Sequence, residues 1–256
     1  MKQAIQQYIM VVLLIVGAYF LGVYKTKTEF LEKGVGAGVQ QPTTQQQAAA
    51  PTSIDLEKIK TKFDGKHITF GDKDAKLIFT EVSDPSCPFC HIAGGLHPEL
   101  NNTSAQFKLK ADGGSYVPPV PEIKKLVDEG KAAFVFLYSN GHGNGEVGTQ
   151  LMYCAHEQGK FWPVHDKLMT KAGYDLINDV VRNDVSKVGE LIKLVGNAAD
   201  GGKLQSCIDS KKYANQPADD MAFVQSLTGG SGTPTFFVNE KIVEGAQSWS
   251  AFEPLL

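Results

Sequence analysis

Cys87 and Cys90, set three apart in the run Cys87-Pro88-Phe89-Cys90, are the residues of this chain best suited to covalent chemistry. A cysteine attacks as its thiolate, and two thiols one helical turn apart can close on each other as a disulfide. The run follows a short apolar stretch, residues 75–83 (AKLIFTEVS), and Asp84-Pro85-Ser86 breaks that stretch. A buried strand should therefore end there and a helix should start around Cys87. At a helix N-terminus a sulfur faces unpaired backbone N–H groups and the positive end of the helix dipole, and both favour thiolate over thiol. Cys87 is then the expected nucleophile. Cys90, one turn further in, is suited to closing the internal disulfide. Pro88 fits the first helical turn, where its missing N–H costs little.

Other chemistries use the same spacing. Cys87, Cys90 and His91 make a C-x-x-C-H run, the arrangement for covalent c-type haem attachment. A preceding buried strand is not its usual setting, and no second axial ligand stands out among Met152, Met169 and Met221. A zinc site would need a second close ligand pair, and Cys154 and Cys207 do not form one. Two inert thiols are the remaining alternative. Downstream, Ser231-Gly232-Thr233-Pro234 precedes the apolar run 235–237, so Pro234 should stand at a strand start or bulge. On spacing alone that is an ordinary turn.

Cys154 shares a helical face with Val147 and Leu151, and Cys207 shares one with Leu204 and Ile208. Both should point inward, either as buried thiols or as a structural disulfide. Glu157, His156 and His165 in the same region read as surface or hydrogen-bonded structural residues. Phe161, Trp162 and Leu168 read as packing, and His142 as a loop residue.

The elements that must position these groups fall in a recognisable order. Residues 66–70, 75–83 and 132–138 are expected strands, and 121–130 a short helix between the last two. Residues 145–228 form a helical block, followed by strands near 235–239 and 241–244 and a short final helix. The order implies a mixed sheet flanked by helices with a helical insertion. The stretch 101–121, rich in Gly, Pro and Asn, reads as a long irregular loop.

Upstream of residue 54 the chain changes character. Residues 8–24 (YIMVVLLIVGAYFLGVY) are uncharged and apolar, long enough to cross a hydrocarbon core of roughly 30 Å. Residues 1–33 are expected to be an N-terminal transmembrane helix with its flank, and a cleaved signal peptide is the rival reading. Lys25, Lys27 and Lys33 follow the segment while only Lys2 precedes it, so the positive-inside count does not favour an N-in orientation. Residues 34–53, rich in Gly, Gln, Ala and Pro, read as a flexible linker. Residues 54–256 suit one domain. The net charge of −3, without basic blocks, gives no reason to expect a nucleic-acid partner.

Three stretches in this order resemble the DsbA-like branch of the thioredoxin superfamily: DPSCPFC at 84–90, CAHEQGKFWPVHDKL at 154–168 and GTPTFFVN at 232–239. The resemblance spans roughly residues 54–256. It implies an α/β thioredoxin-like fold with an inserted helical subdomain, and a thiol–disulfide oxidoreductase without a cofactor. It further implies a cis bond at Thr233–Pro234 facing the Cys87–Cys90 pair, with Pro88, Phe89, Thr233 and Pro234 lining the substrate groove. Glu81, six residues before Cys87, would be a buried acid beneath the disulfide that relays a proton from Cys90. The rival reading puts it on the exposed face of an edge-like strand. His91 would tune the thiolate or lie solvated on the helix surface. The implied partners are reduced secreted proteins and a membrane reoxidant of the DsbB or vitamin-K-epoxide-reductase type, with the catalytic domain on the extracytoplasmic side. Two departures from the family are visible: the long 101–121 stretch and the Pro-Phe dipeptide.

Overall fold

The computed structural model describes residues 53–256. The apolar N-terminal segment and the expected linker lie outside the described residues. Among the described residues no helix is long and apolar enough to cross a membrane.

The described chain opens with α1 (Leu56–Lys60), β1 (Thr69–Phe70), β2 (Ile78–Ser83), α2 (Pro88–Gly94) and α3 (Pro98–Asn101). It continues through α4 (Pro119–Asp128) and β3 (Ala133–Tyr138) into the helical block: α5 (Glu146–His156), α6 (Phe161–Leu168), α7 (Lys171–Asp175), α8 (Val188–Val195), α9 (Gly201–Asp209) and α10 (Gln216–Thr228). Strands β4 (Thr235–Val238) and β5 (Lys241–Glu244) follow, and the chain ends in two 3₁₀ turns where a short helix was expected.

The sheet order is β1-β3-β2-β4-β5, with β2 and β3 parallel and the other pairs antiparallel. Every residue of β2 and β3 is buried, as expected of strands covered on both faces. Pleating divides their side chains. Ile78, Val82, Val135 and Leu137 pack with Ile59 of α1 and Val224 of α10. Phe79, Phe134, Phe136 and Phe236 pack on the opposite face with Ile92 of α2 and with α4, α5 and α6. The helical insertion therefore covers the same sheet face as the cysteine-bearing helix.

Residues 101–121 are more ordered than their composition suggests. They make 3₁₀ turns at Ala105–Phe107 and Lys110–Asp112, and the N–H groups of Lys110 and Tyr116 donate to the carbonyls of Tyr116 and Lys108. Helix α4 begins at Pro119, two residues before the expected start. Both Pro119 and Pro121 sit in its first turn, where a missing N–H is harmless. The expected strand at 66–70 shrinks to two residues, because only Thr69 and Phe70 pair with β3.

Candidate active site

Strand β2 ends at Ser83, and a tight turn carries the chain to Cys87 at the N-cap of α2. Asp84 builds that turn. It is fully buried, and four donors satisfy its carboxylate: Ser86 N–H and Oγ at 2.7 Å each on one oxygen, Gly141 N–H and His142 N–H at 2.8 Å each on the other. A buried carboxylate is tolerable only when paired in this way. Asp84 thereby ties the cysteine loop to the 139–145 loop, a role its sequence context did not reveal. The one visible cue was an acid directly after an apolar strand.

The two thiols of the pair are reduced and unequal. Cys87 is 4% exposed and Cys90 not at all. The hydrogen bond from the Cys90 thiol lowers the Cys87 pKa to about 6. The Thr233 hydroxyl and the backbone N–H groups of Cys90 and Phe89 add to that effect, against the opposing pull of burial. Cys90 moves the other way: burial and the neighbouring Cys87 push it well above the ordinary thiol range. Its sulfur accepts from the Asp84 N–H at 3.4 Å. The division expected from sequence, an attacking Cys87 and a recessive Cys90, thus has a physical basis in donor placement and burial.

Thr233–Pro234 is a cis peptide, as the resemblance implied, and its loop reaches the pair. The Cys87 thiol lies 3.4 Å from the Thr233 carbonyl, to which it donates. The Thr233 hydroxyl is buried without a partner, so a thiolate at Cys87 is its natural acceptor. Gly141 presses on the same place: a Cβ there would come within 1.8 Å of Thr233 Oγ1 and 3.2 Å of Cys87 Cβ.

Phe89 rims the site, and Pro88, between it and Cys87, opens the first turn of α2. Phe89 is 49% exposed and stands edge-on to Phe107, with ring centroids 6.0 Å apart. The two rings, with Tyr116, Thr233 and Gln247, border a groove of about 440 Å³ beside the pair. The 101–121 stretch therefore contributes a wall of this groove through Phe107 and Tyr116.

Glu81 is fully buried in the central strand β2, between Phe136 of β3 and Phe236 of β4. The exposed edge-strand reading is thereby excluded. Burial raises its pKa, and neither carboxyl oxygen has a hydrogen-bond partner. Ser83 follows two residues along the same face, and its hydroxyl favours the charged form of both Glu81 and Cys90.

His91 is buried, contrary to the solvated helix-surface alternative. Its Nδ1 lies 2.8 Å from the Met169 carbonyl and its Nε2 2.9 Å from the Pro85 carbonyl. Two carbonyls would each take an N–H, which only the charged ring supplies, while burial pulls its pKa down to about 4. Because a carbonyl stands 2.8 or 2.9 Å from each ring nitrogen, the approach of iron to either is blocked, which argues against haem ligation in C-x-x-C-H. Cys154 and Cys207 form a disulfide with Cα atoms 5.9 Å apart, pinning α5 to α9. Those sulfurs are therefore not available to complete a zinc site. Glu157 lies at the surface, bonded to Lys212 and Tyr213.

A C-x-x-C pair at a strand-to-helix junction, faced by a cis-proline loop, defines a protein of the thioredoxin class. Comparison with known proteins agrees. The family described as thioredoxin matches residues 120–256, and the chain belongs to it. That match starts downstream of Cys87, so the redox pair itself rests on the geometry above. A Rickettsia bellii relative named as a protein-disulfide oxidoreductase is 21% identical over 199 residues, covering 77% of this chain. The chain spans 66% of that relative's own length, just under two thirds. Similar solved structures include DsbA proteins. Oxidised BdbD of Bacillus subtilis superposes with a TM-score of 0.54 at 20% identity, over 79% of this chain and 94% of that one. Chlamydia trachomatis DsbA does so with a TM-score of 0.52 at 18% identity, over 75% and 89%. The likeness establishes a DsbA-like thioredoxin fold with a helical insertion.

Proposed function

We propose that this protein is a membrane-anchored, extracytoplasmic thiol–disulfide oxidoreductase that oxidises dithiols in reduced secreted proteins through Cys87 and Cys90. The inequality of the two thiols carries this reading. A stabilised Cys87 thiolate stabilises the reduced enzyme, and that makes its disulfide a better oxidant. The Cys154–Cys207 disulfide supports an oxidising compartment, since such bonds rarely persist in the cytosol. The apolar segment 8–24 and the polar linker after it would tether the domain outside the membrane.

The reaction runs in two exchanges. A substrate thiolate attacks Sγ of oxidised Cys87, the Cys87–Cys90 bond breaks, and Cys90 leaves with the electron pair. Buried Cys90 takes a proton, for which Glu81, sharing Ser83 as a neighbour with Cys90, is the proposed acid, and a mixed disulfide remains at Cys87. A second substrate thiolate then attacks the substrate sulfur of that bond, and Cys87 leaves as a thiolate. Substrate has lost two electrons and the enzyme has gained them. Pro88, Phe89, Thr233 and Pro234 would border the bound polypeptide. A membrane protein of the DsbB or vitamin-K-epoxide-reductase type would return the pair to the disulfide.

A glutathione redox titration with thiol counting by mass spectrometry tests the reading. The oxidase role requires a potential well above that of thioredoxin, about −270 mV. A value near thioredoxin's would reverse the assignment to a reductase or isomerase. Cys87→Ser should abolish exchange with a reduced peptide; retained activity would remove Cys87 as nucleophile. Protease shaving of intact cells tests the placement of the domain, and protection of the domain there would refute the outward orientation.

A further inference from the structure

We infer that His165 and Asp166 form the route by which the buried Glu81 carboxyl exchanges protons with solvent. The inference rests on the proposed exchange chemistry and concerns a step which that chemistry leaves open. When Glu81 gives its proton to the departing Cys90 sulfur, a buried carboxylate is left with neither oxygen within hydrogen-bond distance of a partner and only the Ser83 hydroxyl near enough to favour its charge. Burial opposes that carboxylate, so its proton is replaced as it is given up, and the same route carries one proton back out when Cys90 is reoxidised. The strand neighbours of Glu81, Phe136 and Phe236, have no proton to give.

Helix α6 covers this face of the sheet. The Phe161 ring packs 5.5 Å from Phe136, and His165, one turn along α6, lies 5.5 Å from Phe161. His165 is fully buried. Its Nε2 has no partner, and its Nδ1 lies 3.0 Å from Oδ1 of Asp166. Asp166 is 48% exposed and meets solvent. One ring nitrogen is thus unpaired in the interior, while the other touches a surface carboxylate. An imidazole so placed can accept a proton at Nδ1 and release one from Nε2 through bridging water, since neither Nε2 nor the Glu81 oxygens lie within hydrogen-bond distance of a partner. When protonated, the ring would favour the Glu81 carboxylate, which places the two groups within electrostatic reach.

The other titratable groups around this region are poorly suited to the task. His91 on α2 has both nitrogens engaged with carbonyls. Tyr116 and Tyr138, whose hydroxyls are also buried without partners, are pushed by burial far above neutral titration. Lys124 of α4 stands over the Trp162 ring, 5.8 Å from its centroid, so the indole takes up its ammonium group. Per exchange, one proton passes from solvent through Asp166 and His165 to Glu81, replacing the one that Glu81 gave Cys90. His165 ends in the protonation state in which it began.

The test is the single-turnover reduction of the oxidised full-length protein by a reduced peptide, followed by stopped flow between about pH 5 and pH 8 in light and heavy water. His165→Phe should slow release of Cys90 by about tenfold or more and enlarge the solvent isotope effect. Asp166→Asn, a surface change that leaves the ring in place, should slow it less and shift the acid limb of the profile. Glu81→Gln with His165→Phe should be no slower than the slower single variant, because both act on one path. Infrared difference spectra of reduced against oxidised protein should show a protonated carboxyl band that Glu81→Gln removes and His165→Phe shifts. Wild-type rates and pH profiles in both His165→Phe and Asp166→Asn, or multiplicative losses in the double variant, would overturn the route. Persistent exchange in Cys87→Ser would instead overturn the underlying chemistry, so the two failures are distinct.

Discussion

The Cys87 thiolate makes the sharpest prediction. With its pKa near 6, the sulfur is ionised about ten to one near pH 7, whereas an ordinary thiol of about 8.5 is only about 3% thiolate there. A depressed folded-state pKa stabilises the reduced protein above the ordinary value and loses that effect as pH falls through the folded one. The full contribution, about 3 kcal/mol, is present above roughly pH 8.5 and has vanished well below pH 6. Near pH 7 about 1.4 kcal/mol remains, or about 30 mV of added oxidising power. At 4% exposure, solvent does little to screen it. Alkylation of the reduced protein should therefore show a half-maximal rate near pH 6. The redox potential should fall by about 60 mV per pH unit below that midpoint and about 30 mV above it, because Cys90 keeps its proton throughout. Cys90→Ala removes the leading donor, and the midpoint should climb by about one to two pH units. An alkylation midpoint above about pH 8 in the wild type, or a potential slope without a break, would refute the argument.

Three further perturbations separate stability from chemistry. Replacing Cys154 and Cys207 by Ala opens a cross-link between residues 53 apart, which should cost roughly 4 kcal/mol in urea unfolding while leaving Cys87 alkylation unchanged. Glu81→Leu removes an unpartnered buried carboxyl, so it should raise stability by about 1–3 kcal/mol while slowing exchange; destabilisation would mean that the carboxyl is paired. Gly141→Ala drives a methyl group into Thr233 Oγ1, and pushing that hydroxyl away should raise the Cys87 alkylation midpoint; an unmoved midpoint would remove Thr233 from the thiolate's environment.

Local chemistry was written plainly in the sequence wherever one residue type decides the outcome. The break at Asp84-Pro85-Ser86 ends β2, and Pro88 starts α2, so the placement of Cys87 followed from neighbours alone. A mixed sheet flanked by helices followed from the order of the elements, and the sheet observed has β2 and β3 parallel among antiparallel neighbours. Contacts between distant segments did not show. Asp84 finds Gly141 and His142 across 57 and 58 residues, and nothing local in either stretch announces the partner. Cys154 and Cys207 could be placed on inward faces but not paired, because helical periodicity fixes direction and not distance. His91 looked like a surface residue because its burial comes from Met169 and Tyr174, both far along the chain. The 101–121 stretch looked irregular because 3₁₀ turns leave no periodic signature; its ordering depends on Tyr116 and Phe107 closing on Phe89.

The helical insertion bears on the redox pair as well as on packing. Met169, just past α6, packs against Cys87 and Cys90, and its carbonyl fixes His91 on the same helix as the pair. Asn178, further along the insertion, donates to the Ser86 carbonyl at 3.2 Å and so holds the turn that leads into Cys87. The sheet supplies the acid at Glu81, while the insertion supplies the lid that keeps water from it. Without that cover, Cys90 and Glu81 would be solvated, and both pKa values would relax toward ordinary ones. The unequal thiols then depend on two layers: the Cys90 thiol, the Thr233 hydroxyl and the backbone donors at the start of α2 for Cys87, and the insertion's burial of Cys90. The Cys154–Cys207 disulfide joins two helices of the second layer and makes no contact with the pair. Its removal should therefore loosen the insertion first, and any change in redox potential beyond about 30 mV in that variant would mean that the cover over Cys90 had opened as well.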